Sequence, residues 1–261
     1  MPQGKEEQTT QLVEILRSIV HDQLVHIDNL ALMFSGGLDS ATLAVIARKK
    51  CNLTLYTAGF EGSHDLEWVR ECASIIDLPI VEIILDKEDI VKSIESVVKT
   101  HDMTNPKWMS TFVGFDIVLS KIKEKQVMCG QGADELFGGY KKYNELEDPD
   151  SRMAIDIKEL VELEMPEYMR MAGNYDKILL APFLDERLRA FAANLPLEMK
   201  INDSGNKFIL REAAKMLGVP GMMADKPKKA MQYGSGISKA IKHYLKNSEI
   251  DLQTLIESYK I

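Results

Sequence analysis

Cysteine is scarce: three residues, Cys51, Cys72 and Cys129, stand far apart in 261. That spacing excludes a CxxC redox pair and a four-cysteine zinc site. It fits reduced thiols in a cytoplasmic protein. Long apolar runs are also missing. None approaches the ~20 residues that a membrane-spanning helix needs. The polar start, Met1-Pro2-Gln3-Gly4-Lys5-Glu6-Glu7, does not read as a signal peptide. Positive charge is in deficit, with 32 Lys and Arg against 40 Asp and Glu, a net charge of −8. That balance weighs against a nucleic-acid partner, which needs a basic surface. No internal repeat and no low-complexity tract is present.

What is present is a soluble α/β pattern, with 45% apolar residues, ample for a core. Residues 1–28 read as an N-terminal helix, with Leu12, Ile15, Leu16 and Ile19 on one face, expected to pack on the sheet. Residues 29–145 alternate strands with helices. Leu30–Phe34, Leu53–Gly59, Pro79–Leu85 and Gln126–Cys129 read as strands. Asp65–Ile76, a segment from Asp86 to about Val98, and Trp108–Lys123 read as helices. Such alternation predicts a doubly wound parallel sheet, with ligands at the carboxyl ends of its strands. Residues 146–261 read as a mostly helical C-terminal part.

Two stretches stand at strand ends. The first is Phe34-Ser35-Gly36-Gly37-Leu38-Asp39-Ser40, between an apolar strand and a helix. Gly36 and Gly37 remove Cβ atoms that would crowd the turn. Ser35 and Ser40 add hydroxyls, and the first-turn amides of the helix favour an anion. Asp39 would repel a bare phosphate, so its presence implies a cation between them, Mg²⁺. No Gly-Lys-Ser/Thr follows at Walker A spacing. The second stretch is Gly130-Gln131-Gly132-Ala133-Asp134-Glu135-Leu136-Phe137-Gly138-Gly139-Tyr140. Asp134 and Glu135 open a helix, where carboxylates suit the dipole. If the sheet brings Asp134 beside Asp39, the pair makes a Mg²⁺–ATP site.

The first stretch resembles the pyrophosphate-binding loop of the N-type ATP pyrophosphatases, the PP-loop superfamily. The second, with Pro182-Phe183-Leu184-Asp185, Lys207-Phe208-Ile209-Leu210-Arg211 and Lys226-Pro227-Lys228-Lys229-Ala230-Met231-Gln232, resembles the synthetase domain of asparagine synthetases from about Leu30 to Gly236. The resemblance implies an adenine nucleotide α-hydrolase-like, Rossmann-like fold. It implies a carboxylate substrate adenylated by Mg²⁺–ATP, with AMP and pyrophosphate released and an amide formed. It assigns pyrophosphate to residues 34–40, with Gly130 and Gly132 beside them. It assigns adenine to the strand end at Thr57, Ala58 and Gly59, Mg²⁺ to Asp39 and Asp134, and phosphate charge to Lys228.

Three departures set expectations. The family's Gly-Glu-Gly reads Gly130-Gln131-Gly132 here, and an amide is no general base, although it can hold a carboxyl or amide group. Glu135 is the nearby carboxylate and the candidate substitute base of the catalytic set, with the helix start or a supporting place as its other reading. Ile178-Leu179-Leu180-Ala181 stand where the family carries Glu and Arg. The chain starts at the synthetase part with Met1-Pro2, so nitrogen is expected from ammonia or a separate glutaminase. Two alternatives stay open: another PP-loop adenylating enzyme acting on a small molecule or tRNA, or a nucleotide-binding protein that has lost amide synthesis. A homo-oligomer also stays open.

Overall fold

The computed structural model describes residues 3–100, 108–226, 235–247 and 254. The order opens with α1 (Gln3–Gln23), β1 (Asn29–Met33), α2 (Leu38–Ala47), β2 (Asn52–Gly59), α3 (His64–Ile76), β3 (Ile80–Ile84), α4 (Lys87–Thr100) and α5 (Met109–Lys121). It continues with β4 (Gln126–Met128), α6 (Ala133–Phe137), α7 (Pro149–Glu159), a π turn at Leu160–Glu164, α8 (Met165–Asn174) and β5 (Ile178–Leu180). Then follow α9 (Glu186–Ala193), α10 (Leu197–Lys200), a small hairpin of β6 (Ile201–Asn202) and β7 (Gly205–Asn206), α11 (Phe208–Leu217), α12 (Gly221–Ala224) and α13 (Ile237–Asn247).

Strands β3-β2-β1-β4-β5 form one parallel sheet in that order, with β1 in the middle. β1 is central because its side chains are apolar on both faces, as a strand covered twice requires. Leu30 and Leu32 join a core with α1, α2 and α11, whereas Ala31 faces the core built by α4, α5 and α8. That split is the two-residue period of a strand. Asp86 and Asp89 accept hydrogen bonds from each other's backbone N–H, at 2.9 and 3.1 Å, and so cap α4. Asp116 on α5 accepts from Ser93 and Ser96 of α4 and from Tyr175 after α8, at 2.7, 3.2 and 2.8 Å, and ties that helical layer together.

Two sequence expectations change. Ile178–Leu180 is not part of a helical region but the fifth strand, paired Gln126↔Ile178 through Met128↔Leu180. A three-residue apolar strand has too little length to show a period. Helix α1 packs chiefly on α2, α9 and α11 rather than on the strands. No helix among the described residues is long and apolar enough to cross a membrane.

Candidate active site

The turn after β1 is built by its own side chains. Gly36 has φ +64, and a Cβ there would lie 2.6 Å from Trp68 Nε1, which donates to the Gly36 carbonyl at 2.8 Å. Gly37 is extended, φ −90 and ψ 172, and a Cβ there would meet only Ser35 Oγ at 3.4 Å. So the fold demands glycine at 36 and tolerates more at 37. Gly36→Ala is expected to cost about 1–3 kcal/mol for left-handed backbone and overlap, and Gly37→Ala clearly less. Urea unfolding of both variants checks this, and equal costs would contradict it.

No side chain caps α2, which begins at Leu38. Its first-turn amides therefore stay free for an anion. Ser35 N–H and Oγ lie 3.3 and 3.4 Å from Ser40 Oγ. These are long contacts, readily exchanged for a phosphate oxygen.

The second strand-end stretch abuts the first. A Cβ on Gly130 would sit 3.2 Å from Asp39 Cβ. Asp134, in the first turn of α6, shares a cation with Asp39. Lys207 Nζ lies 2.7 and 2.8 Å from the two Asp39 oxygens and 2.7 Å from Asp134 Oδ1. The lysine side chain is 4% exposed, Asp39 19% and Asp134 10%. Lys207 stands at the N-cap of α11 with φ +58. A non-glycine residue there costs about 1–2 kcal/mol. Its neighbours hold it in place. The β6–β7 hairpin precedes it, and Asn206 Nδ2 donates to the Gly138 carbonyl at 2.6 Å. Arg211 donates to the carbonyls of Asn206, Ala224 and Lys226 at 2.8, 2.5 and 3.3 Å. Gly139 completes the cluster: a Cβ would fall 1.9 Å from Asp134 Oδ1 and 2.3 Å from Lys207 Cε.

Around this centre a cleft opens at the strand ends. The loop and β2 contribute Met33, Phe34, Ser35, Asp39, Ser40, Tyr56, Thr57 and Ala58, with Thr111, Phe115 and Val118 of α5 opposite. The other wall is Cys129, Gly130, Gln131, Asp134, Glu135 and Tyr140, with Leu160, Glu164 and Tyr168. Of the sequence-predicted residues, Gly36, Gly37, Leu38, Gly59 and Gly132 do not line it. Leu38 lies in the core, Gly59 packs against Ser63 and Leu66, and Gly132 against Leu184. Lys228 lies outside the described residues. Its neighbour Lys226 stacks its ammonium over the Trp68 ring at 4.1 Å, beside Gly36.

Electrostatics divide the wall. Burial, with Asp134 adding to it, holds the Glu135 carboxyl above the usual range, although Tyr140 Oη donates to it at 2.8 Å. Glu164 is pushed up to about 7, first by burial and then by the negative charges of Glu135, Glu159 and Asp156. Cys129 is pushed up to about 12 by burial, which leaves an inert thiol. The Asp39–Asp134 pair is a set of hard oxygen donors converging on one positive charge, and with Lys207 the cluster keeps one net negative charge. That chemistry fits Mg²⁺ with phosphate oxygens completing its coordination.

Sequence reasoning missed Lys207 and Glu164. Lys207 opens Lys207-Phe208-Ile209-Leu210-Arg211, where nothing local in the sequence names its partner. Glu164 had no signal at all.

The chain is similar to several known proteins. The NH3-dependent NAD synthetase of Campylobacter jejuni superposes with a TM-score of 0.38 and 16% identity, over 72% of this chain and 97% of that one. A Methanocaldococcus jannaschii protein, provisionally named a glutamine-hydrolyzing asparagine synthetase 1, is 30% identical over 281 aligned positions, 90% of this chain and 51% of its own length. The glutamine-hydrolyzing asparagine synthetase of Gallus gallus is 26% identical over 239 positions, 84% of this chain and 42% of its own. The chain thus spans about half the length of such relatives, or less. The asparagine synthase family profile matches residues 11–178 and 179–255, and on that match the chain belongs to the asparagine synthase family.

Proposed function

We propose that the chain is an ATP-dependent ligase that adenylates a carboxylate, releases pyrophosphate and passes the acyl group to nitrogen as an amide. The nitrogen arrives as ammonia. One observation carries this: Asp39 and Asp134, 95 residues apart in sequence, meet on a single cation beside the uncapped start of α2.

Each wall of the cleft has a role in this proposal. Adenine lies between the ends of β1 and β2 (Met33, Tyr56, Thr57, Ala58) and the α5 side chains Phe115 and Val118. The loop from Ser35 to Ser40 and the α2 amides hold the leaving pyrophosphate. Asp39 and Asp134 hold Mg²⁺, which when bound offsets phosphate charge and fixes the nucleotide for attack at the α-phosphate. Lys207 keeps the two carboxylates aligned and neutralises part of their charge. Lys228 is the cation assigned to the charge growing on the pyrophosphate, supported by Lys226 beside the loop. Gln131 donates and accepts hydrogen bonds to orient the acceptor.

The test is a carboxylate panel, aspartate included, with ATP, Mg²⁺ and ammonia, read by mass spectrometry. The expected products are AMP, pyrophosphate and one amide. ADP and orthophosphate as the products would remove the proposed mechanism. ATP binding with no turnover on any carboxylate would favour a nucleotide-binding role instead.

A further inference from the structure

We propose that Glu164 is the general base of amide formation, taking the proton that Gln131 cannot take. This deepens the ligase function proposed above and rests on it.

The geometry comes first. Leu160–Glu164 is a π turn inserted between α7 and α8, closed by the Met165 N–H donating to the Leu160 carbonyl. One extra residue per turn shifts the phase of the helix, and π turns recur at functional sites for that reason. Here Leu160, Glu164 and Tyr168 all line the cleft wall, at successive four-residue steps, together with Gln131. No side chain among the described residues donates to the Glu164 carboxylate. Tyr168 is fully buried, and its hydroxyl has no partner. A buried phenol left unpaired at a cleft wall costs free energy unless a ligand or water satisfies it. So this wall is built to hold a polar group that is not part of the protein.

The chemistry follows. In the second half-reaction the nitrogen lone pair attacks the acyl carbon of the acyl-adenylate. As the C–N bond forms, a proton leaves nitrogen for the Glu164 carboxylate. The acyl C–O bond to phosphate then breaks, and AMP departs with the electron pair. Neutral Glu164 returns its proton to water. A base works best with a pKa near the working pH, and Glu164 sits at about 7. The charged and titratable groups facing it are Glu135 on α6, Asp156 and Glu159 on α7, Lys142 in the turn after Tyr140, and Tyr168 on α8. Arg152 of α7 pairs with Asp156 and approaches Glu159, yet the three carboxylates outnumber the two cations, and burial adds to their effect in raising the Glu164 carboxyl.

The experiment compares wild type with Glu164→Gln, using ATP, Mg²⁺ and the carboxylate accepted in the panel. Ammonia is the first nucleophile. Hydroxylamine, which reacts without help from a base, is the second. Ammonia-dependent amide formation is expected to fall about 10²–10⁴-fold in the variant. Pyrophosphate release and hydroxamate formation should stay within a few-fold of wild type. At constant uncharged ammonia, the wild-type rate should rise with pH and level off above about 7, and the variant should show no such rise. Stability gives a readout free of turnover. A carboxyl whose folded pKa is raised contributes its full stability at low pH and loses it as pH rises through about 7. Glu164→Gln should therefore match wild type at low pH and unfold at higher urea above pH 7. Loss of all three activities together would overturn the inference, as would equal amide rates. Equal urea midpoints above pH 7 would remove the burial it depends on. A wild type that releases no pyrophosphate with any carboxylate overturns the ligase function itself, and this inference with it.

Discussion

Lys207→Met is expected to destabilise the protein by about 3–5 kcal/mol, the usual cost of stripping the partner from a buried charge. Asp39 and Asp134 would then face each other across the space that Nζ occupies, 2.7 Å from each. Methionine keeps most of the volume, so a cavity contributes little and the loss reports charge. Lys207 holds a left-handed backbone, and methionine inherits that strain, so backbone conformation does not enter the difference. The second expectation is a change in metal response. With the ammonium gone, two unpaired carboxylates remain, and a divalent cation that binds only the folded state raises its stability by mass action. Urea unfolding in EDTA and in Mg²⁺ separates these effects. The variant should be far weaker than wild type in EDTA and recover much of the gap in Mg²⁺. Wild-type stability in EDTA would mean that Lys207 does not hold the pair together.

This lysine also marks the limit of what the sequence discloses. The loop at residues 34–40 is legible because an apolar strand, two glycines and a helix occur within a dozen residues, all local signals. The paired carboxylates are legible because both stand at the ends of parallel strands, where such sheets bind ligands. Lys207 lies 168 residues from Asp39. Only the fold brings it there, through a hairpin and Arg211, whose bonds to three carbonyls are invisible in a string of letters. Glu164 is hidden for another reason. Helical spacing is read on a 3.6-residue period, and one π turn breaks that period where the cleft begins. β5 is hidden by its shortness, since Ile178–Leu180 is too brief to show a strand pattern. The glycines divide by what a side chain at each would meet. Gly36 is demanded by its backbone and Gly139 by the ion cluster, whereas Gly132 and Gly59 make room for Leu184 and Ser63.

Asp39→Asn and Asp134→Asn give the last prediction, in which stability and activity move apart. In the unliganded cluster two carboxylates share one ammonium, so the group carries one excess negative charge. Removing either carboxylate leaves a one-to-one pair, since Lys207 stays within 2.7 Å of the survivor. Neither variant leaves a buried charge without a partner, and the large penalty expected for Lys207→Met does not apply. Both should therefore unfold within about 1 kcal/mol of wild type in EDTA, the size of a single hydrogen-bond change. Function should respond in the opposite way. The excess charge is what draws Mg²⁺ to the loop, and a hard cation strongly prefers carboxylate to a neutral amide oxygen. With the excess gone, Mg²⁺-dependent ATP affinity should fall. Pyrophosphate release should drop by about 10²–10³, the loss typical when one preorganised electrostatic partner of the transition state is removed. Isothermal titration with ATP, with and without Mg²⁺, and single-turnover pyrophosphate release test this alongside urea unfolding. Unchanged Mg²⁺–ATP titrations in both variants would free Asp39 and Asp134 from metal binding. They would then be simple partners of Lys207, a cluster that positions the strand ends and nothing more.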